Sequence, residues 1–203
     1  MNSPIPIDAL AASGRFRHLS SIAGIDIDLR YAGLDNFVGR DLYSPHDCAW
    51  LHADAASALD AVVAYLAARA PSHRILVLDA LRPQRVQQQL WDALAGTDLQ
   101  MYLAAPERGS IHSFGMALDV TIVDQHGVEL DMGTGFDDLT AASHPALEAV
   151  MVERGVLTVG QIGNRQLLRD AMAQAGFQGI STEWWHYDCG DRDRVRQSYA
   201  RVI

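Results

Sequence analysis

The 203-residue chain is long enough to bury one substantial core, which predicts a single domain over 1–203 with about 20 N-terminal residues as a possible extension. The net charge of −9 argues against a nucleic-acid partner, because phosphate binding requires clustered basic side chains. The chain begins without the basic and apolar segments of a signal peptide, and it contains no run of roughly 20 apolar residues, so a cytoplasmic protein without membrane contact is predicted.

The first half of the chain predicts two strands and two helices. Period-2 alternation in 25–33 favours a strand with one exposed face, and the short apolar run 74–80 favours a buried strand. Apolar residues in 49–69 have helical spacing, and Asp47 is the predicted helix cap. A second helix is predicted over 83–94, because proline is tolerated at the first helical position.

The second half of the chain predicts further strands and helices. Residues 116–123 are rich in β-formers, and 128–131 could be the partner strand of a hairpin. Helices are predicted at 145–154 and 161–175, and the aromatic-rich segment 181–189 is predicted to be the final strand. Helices with an antiparallel sheet, and without regular βαβ alternation, predict an α+β fold.

One acidic residue, Asp119, lies inside an apolar predicted strand, where burying a carboxylate costs free energy unless a cation meets it. His112 precedes it by seven positions, and a bend at Gly115 could bring both side chains to one point. The fragment EWWH adds Glu183 and His186. Two histidines and one carboxylate are a frequent catalytic zinc set, with the fourth position left for water. A surface histidine and a core tryptophan pair remain the alternatives.

Three further residues bear on this candidate metal site. Glu183, as a spare carboxylate, could act as the general base. Arg82 stands at a predicted strand–helix junction, where its guanidinium could stabilise the oxyanion formed when water attacks a carbonyl. A surface arginine is the alternative. Cys189 could add a fourth protein ligand, but that ligand would close the site to water, which disfavours it.

Five segments of the chain resemble one family in order and in content. SIHSFGMALDV has the pattern S-x-H-x-x-G-x-A-x-D, and EWWH follows it; LRYAGLDNFVG, LDALRP and MGTGFD complete the match. Together they resemble the zinc D-alanyl-D-alanine dipeptidases of the vancomycin-resistance type, within the D-Ala-D-Ala metallopeptidases. The resemblance implies a hedgehog-like α+β fold with helices flanking the sheet.

The resemblance also implies hydrolysis of D-alanyl-D-alanine to free D-alanine, in which a metal-activated water attacks the peptide carbonyl. The family's ligands for one zinc ion per chain fall on His112, Asp119 and His186. Its general base and acid falls on Glu183, and its oxyanion-stabilising group on Arg82. The family's positions around the dipeptide fall on Ser110, Tyr31 and Asp137.

Two rival functions remain open. A D,D-carboxypeptidase of the same superfamily would trim peptidoglycan precursors and would accept an acylated substrate amine, whereas Asp137, as a candidate partner of a free ammonium, favours the dipeptidase. A non-catalytic zinc-binding module of the same fold would need neither Glu183 nor Arg82. The biological purpose, glycopeptide resistance or dipeptide recycling, stays open, as does the oligomeric state, with a homodimer possible.

Overall fold

The computed structural model describes residues 3–203, and the strands of this range form two sheets. A small antiparallel sheet pairs β1 with β3, and a five-stranded sheet has the order β2-β4-β5-β7-β6. The strands are β1 (Phe16–His18), β2 (Ile25–Ile27), β3 (Trp50–His52), β4 (Arg74–Asp79), β5 (Ala117–Val123), β6 (Phe177–Gly179) and β7 (His186–Cys189). Because β2 runs parallel to β4, the sheet is mixed, and the prediction of a purely antiparallel sheet is wrong at this edge.

Helices complete this mixed α and β architecture. They are α1 (Leu10–Ser13), α2 (Ala53–Arg69), α3 (Gln84–Ala93), α4 (Glu148–Glu153), α5 (Val159–Gln174) and α6 (Arg192–Ser198). Apolar side chains of α2 and α5 share the main core with Val120 and Ile122 of β5. Because successive side chains of a strand alternate between faces, Asp119 and Thr121 point away from these two helices. The Asp119 carboxylate is therefore on the face of the sheet opposite α2 and α5, where a functional site can form.

Several predicted boundaries are corrected by local hydrogen bonds. Helix α2 begins after His52, whose ring accepts from the Asp54 N–H, whereas the Asp47 carboxylate accepts from the Ala49 N–H and does not cap this helix. The strand predicted at 25–33 ends early, since a 3₁₀ turn follows at Arg30–Ala32.

The C-terminal part of the chain differs from prediction in a similar way. The final strand β7 is shorter than the predicted 181–189, because 181–185 form an irregular segment before it. Strand β6 is not predicted, since three residues carry too little periodicity. The predicted hairpin partner at 128–131 forms only a bridge between Glu129 and Val123.

Both ends of the described chain are bound to its body. Ile5 and Val202 form a parallel bridge, and Ile7 is buried nearby. The Val202 N–H donates to the Ser113 carbonyl at 2.7 Å, and its own carbonyl accepts from the Gln84 N–H at 3.0 Å. In residues 3–203 there is no helix with the length and apolar character required to cross a membrane.

Candidate active site

Three neighbouring strands bring polar side chains to one level of the large sheet. The register of β4 and β5 sets Asp79 opposite Asp119, and that of β5 and β7 sets Asp119 opposite His186. Side chains that lie directly opposite each other on paired strands are close neighbours. The pairing therefore assembles two carboxylates and an imidazole from distant parts of the sequence.

His112 reaches the same point from the 3₁₀ helix Ile111–Phe114, which lies immediately before β5. Gly115 ends this helix in the left-handed conformation, with φ at 64°. A Cβ at Gly115 would also lie 2.8 Å from the backbone nitrogen of His52, closer than packing permits. The bend predicted at Gly115 is confirmed, and it turns the chain from the His112 loop into the strand that carries Asp119.

The side chains of His112, Asp119 and His186 form a compact potential metal-binding group, with one ligand atom of each within 4.8 Å of the others. Oδ1 of Asp119 lies 3.0 Å from His186 Nδ1 and 3.4 Å from His112 Nε2. The remaining ring nitrogens face acceptors: His112 Nδ1 is 2.8 Å from the Ala80 carbonyl, and His186 Nε2 is 3.0 Å from Asp188 Oδ1. Such outer partners fix the orientation of metal-ligating histidines.

The cysteines lie outside this group. Burial raises the pKa of Cys189 to about 11, which disfavours the thiolate that a metal would need. Cys48 is a buried free thiol, and burial also raises its pKa.

The charged side chains of this group shift one another's pKa values. Burial opposes ionisation of Asp119, but His112 and His186 hold the pKa of that carboxyl well below its usual range. Burial opposes the charge of His186 as well, but Asp188 and Asp119 raise the pKa of the imidazole well above its usual value. For Asp188, burial is again outweighed, and His186 and Arg192 lower its pKa to about 2. The carboxylates thus form a strong cation-binding environment.

Arg82 is buried and held beside Asp119 by carboxylates. Its Nε and Nη2 donate to Asp79 Oδ2 at 2.9 and 2.6 Å, and Nη2 lies 3.3 Å from Asp119 Oδ2. Its guanidinium also lies 5.0 Å from the centre of the Tyr31 ring. Within residues 3–203, Nη1 makes only a long contact of 3.4 Å, to Gln87, and is the nitrogen left with donor capacity. These contacts fix the positively charged guanidinium of Arg82 close to Asp119.

A cavity of about 300 Å³ opens over these groups. This volume is at the lower end of the range of about 300–1,000 Å³ for ligand pockets, and so suits a small ligand. All the site residues predicted from the sequence line it: Tyr31, Arg82, Ser110, His112, Asp119, Asp137, Glu183 and His186.

Glu183 lies in the irregular segment before β7 and is half-buried at the cavity wall. Burial raises the pKa of its carboxyl to about 7; His186 lowers this pKa, and Asp119 raises it further. A carboxyl that titrates near neutral pH can both accept and return a proton.

Asp137 combines backbone strain with an unsatisfied oxygen of its carboxyl group. Its φ of 60° is the left-handed conformation, which non-glycine residues rarely adopt and which often marks functional sites. Oδ1 accepts from the Tyr31 hydroxyl at 3.1 Å, whereas Oδ2 is buried and has no hydrogen-bond partner in residues 3–203. Burial, reinforced by the charge of Asp119, raises the pKa of Asp137 to about 8. A cationic ligand would satisfy this oxygen.

Sequence reasoning missed several cavity and supporting residues. Asp79 ends an apolar strand, as Asp119 interrupts one, so the same signal could have found it. Asp188 lies in a short strand and Arg108 in a loop, and neither position gave such a signal. The arginines of α6 alternate with other charged residues, which is typical of an exposed surface. The missed charged residues of the cavity wall are Asp188, Arg108, Arg192 and Arg196.

Comparison with known proteins identifies the family of the chain. The Peptidase_M15 family, described as D-ala-D-ala dipeptidase, matches residues 15–203. A D-alanyl-D-alanine dipeptidase of Escherichia coli (strain K12) is 37% identical over 166 residues, covering 81% of this chain and 78% of the relative. Proteins of the same name from Enterococcus faecium and Streptomyces coelicolor are 30% and 31% identical, and each alignment covers 82% of this chain and 86% of the relative. The chain therefore belongs to the D-ala-D-ala dipeptidase family of peptidases.

Proposed function

We propose that this protein is a zinc-dependent dipeptidase that hydrolyses D-alanyl-D-alanine to free D-alanine. The observation that carries the proposal is the group of His112, Asp119 and His186, which shares one small cavity with Glu183 and with the unsatisfied carboxylate of Asp137. Relatives that align over most of their length bear the name of this activity, which supports the same substrate.

The donor set fits one zinc ion per chain. Two imidazoles and one carboxylate are common zinc ligands in catalytic sites, where a further coordination position is kept for water or substrate. Ligation requires a neutral imidazole, so His186 must release the proton that its carboxylate neighbours favour. When bound, zinc polarises the substrate carbonyl and lowers the pKa of water.

The protein's own groups then divide the proton and charge transfers. The Glu183 carboxylate takes a proton from the attacking water and later gives it to the nitrogen of the leaving D-alanine. Negative charge develops on the carbonyl oxygen, and Nη1 of Arg82 is the donor available to stabilise it, because Nε and Nη2 are bound to carboxylates.

Asp137 is proposed to bind the free ammonium of the dipeptide. Its Oδ2 supplies a buried acceptor, and the Tyr31 hydroxyl holds its other oxygen in place. Ser110, at the start of the 3₁₀ helix that carries His112, is proposed to contact the far end of the substrate.

Replacing Asp137 with alanine should reduce kcat/KM for free D-alanyl-D-alanine at least about tenfold, because a charged hydrogen bond to the ammonium is lost. N-acetyl-D-alanyl-D-alanine has no ammonium, and its slower cleavage should change little. Steady-state assays with both substrates measure this difference, and Asp138→Ala tests for general effects on the loop. Preferential cleavage of the acetylated substrate by the unaltered protein would instead support the carboxypeptidase alternative.

Replacing Asp188 with asparagine should lower zinc affinity about 10–100-fold, because the carboxylate that orients the His186 ring and increases its basicity is lost. Competition with a chromophoric chelator measures the affinity. Asp191→Asn, on the next loop, is the control. Equal affinity in the Asp188 variant and the unaltered protein would contradict this supporting role.

The remaining features are proposed on the sequence and the family resemblance. They are a single domain with a hedgehog-like arrangement of helices around the sheet, a cytoplasmic location, and function without nucleic acid or membrane. A homodimer is compatible with these features. Size-exclusion chromatography with light scattering will measure the oligomeric state.

A further inference from the structure

Three arginines at the wall of the cavity have no part in the reaction described above. Arg192 and Arg196 belong to α6, which packs against the 3₁₀ helix that carries His112, and Arg108 precedes that helix. All three line the cavity. We refer to Arg108, Arg192 and Arg196 as the arginine cluster.

Hydrogen bonds tie the arginine cluster to the segments that bear the proposed zinc ligands. Nε of Arg196 donates to the Gly109 carbonyl at 3.2 Å, immediately before Ser110. Nε of Arg192 donates to Asp188 Oδ2, and the other oxygen of Asp188 faces His186. The guanidiniums of Arg192 and Arg196 are therefore fixed near the Ser110 and His186 side of the cavity.

The arginine cluster is short of anionic partners. Arg196 has a side chain only 14% exposed, and its Nη1 makes a long 3.4 Å contact with Asp193. Arg108 shares the same Asp193 carboxylate at 3.5 Å. Burial, and then the charges of Arg108 and Arg192, lower the pKa of Arg196, although a guanidinium stays charged in proteins. Nη2 of Arg196 donates no hydrogen bond to residues 3–203.

Asp137 and the arginine cluster are held by different segments of the cavity wall. Asp137 is hydrogen-bonded to Tyr31, whereas Arg196 is bonded to the Gly109 carbonyl. A free dipeptide carries one ammonium and one carboxylate at its two ends. The cavity thus offers a partner of opposite charge to each end.

We propose that the arginine cluster binds the C-terminal carboxylate of the substrate, with Arg196 as the main contact and Ser110 beside it. Guanidinium and carboxylate form strong, charge-assisted hydrogen bonds, and the unoccupied Nη2 supplies such a donor. This inference rests on the proposed dipeptidase function and extends it to substrates whose C-terminal carboxylate is free.

The test compares D-alanyl-D-alanine with its C-terminal amide. The unaltered protein should prefer the free acid, and Arg196→Gln should lower kcat/KM for the acid about 10–100-fold, mainly through KM, while the amide changes little. Arg196→Lys retains the charge and should recover part of the loss. Arg194→Gln on the exposed side of α6 is the matched control.

Calorimetry measures the binding of D-alanyl-D-alanine and of its C-terminal amide to the Glu183→Ala variant. Because this variant is expected not to hydrolyse them, the measurement separates this inference from the proposed function. If Arg196→Gln in that background weakens binding of the acid but not of the amide, the inference holds even where no hydrolysis occurs. Equal binding of acid and amide, or equal losses for both after Arg196→Gln, would mean that Arg196 only supports the Gly109 loop. Either result, or no binding of the acid, overturns the inference.

Discussion

Replacing Glu183 with alanine is expected to reduce hydrolysis of D-alanyl-D-alanine at least about a hundredfold, because a general base typically contributes between about 10² and 10⁴ in rate. The carboxyl lies at the cavity wall, and its raised pKa suits it to accept and return a proton. It is outside the group of potential metal ligands, so zinc content and folding should be retained. Release of D-alanine, together with metal analysis and circular dichroism, measures all three properties.

The exposed Glu153, at the end of α4, offers the control for this change. Glu153→Ala removes the same side chain from a surface position, and its activity should stay within about twofold of the unaltered protein because exposed substitutions have small effects. Full activity in the Glu183 variant would exclude this residue as the base. A folded, zinc-loaded unaltered protein that cleaves no dipeptide would favour the non-catalytic zinc module.

Replacing Asp119 with asparagine is expected to lower zinc affinity more than about 100-fold, and to abolish activity at low zinc concentration. The change removes a negatively charged ligand, and even changes to outer partners of a ligand cost about 10–100-fold in affinity. It also removes one of the two carboxylates that raise the pKa of His186, and one acceptor of Arg82. Chelator competition measures the affinity, and thermal unfolding without metal reports on the fold.

Asp92→Asn, on the exposed surface of α3, changes the net charge by the same amount and is the control for Asp119→Asn. Its zinc affinity should equal that of the unaltered protein. If Asp119→Asn also binds zinc with unchanged affinity, the metal site lies elsewhere, and the proposed arrangement of ligands is wrong.

Local sequence signals predicted the strands and helices that are determined by the residues of their own segment. The apolar runs of β4 and β5 identify buried strands, and the proline before α3 marks its start. The parallel pairing of β2 with β4 and the short strand β6 left no comparable signal, because they depend on contacts between segments far apart in the chain. The cap of α2 was assigned to Asp47 because aspartate is a good cap, yet His52 lies at the required position.

The candidate site likewise contains residues that a local sequence signal identified and residues that only the folded structure reveals. Asp119 stood out because a carboxylate interrupts an apolar strand, and the proximity of His112 and His186 to it is as the sequence predicted. Their chemical roles remain predictions. Asp188 and Arg196 were missed because their significance comes from what they face after folding. Only Arg196 lies in a segment whose sequence resembles an ordinary charged surface.

The backbone hydrogen bonds of Val202 have a consequence for protein engineering. This residue joins the segment after Arg82 to the 3₁₀ helix of His112, through Gln84 and Ser113. A substitution or deletion that removed these two hydrogen bonds would loosen two segments that flank the cavity without touching any group in the reaction. Ser113 and Gln84 would then lose their shared backbone partner, so Val202 connects two segments of the site through its backbone alone.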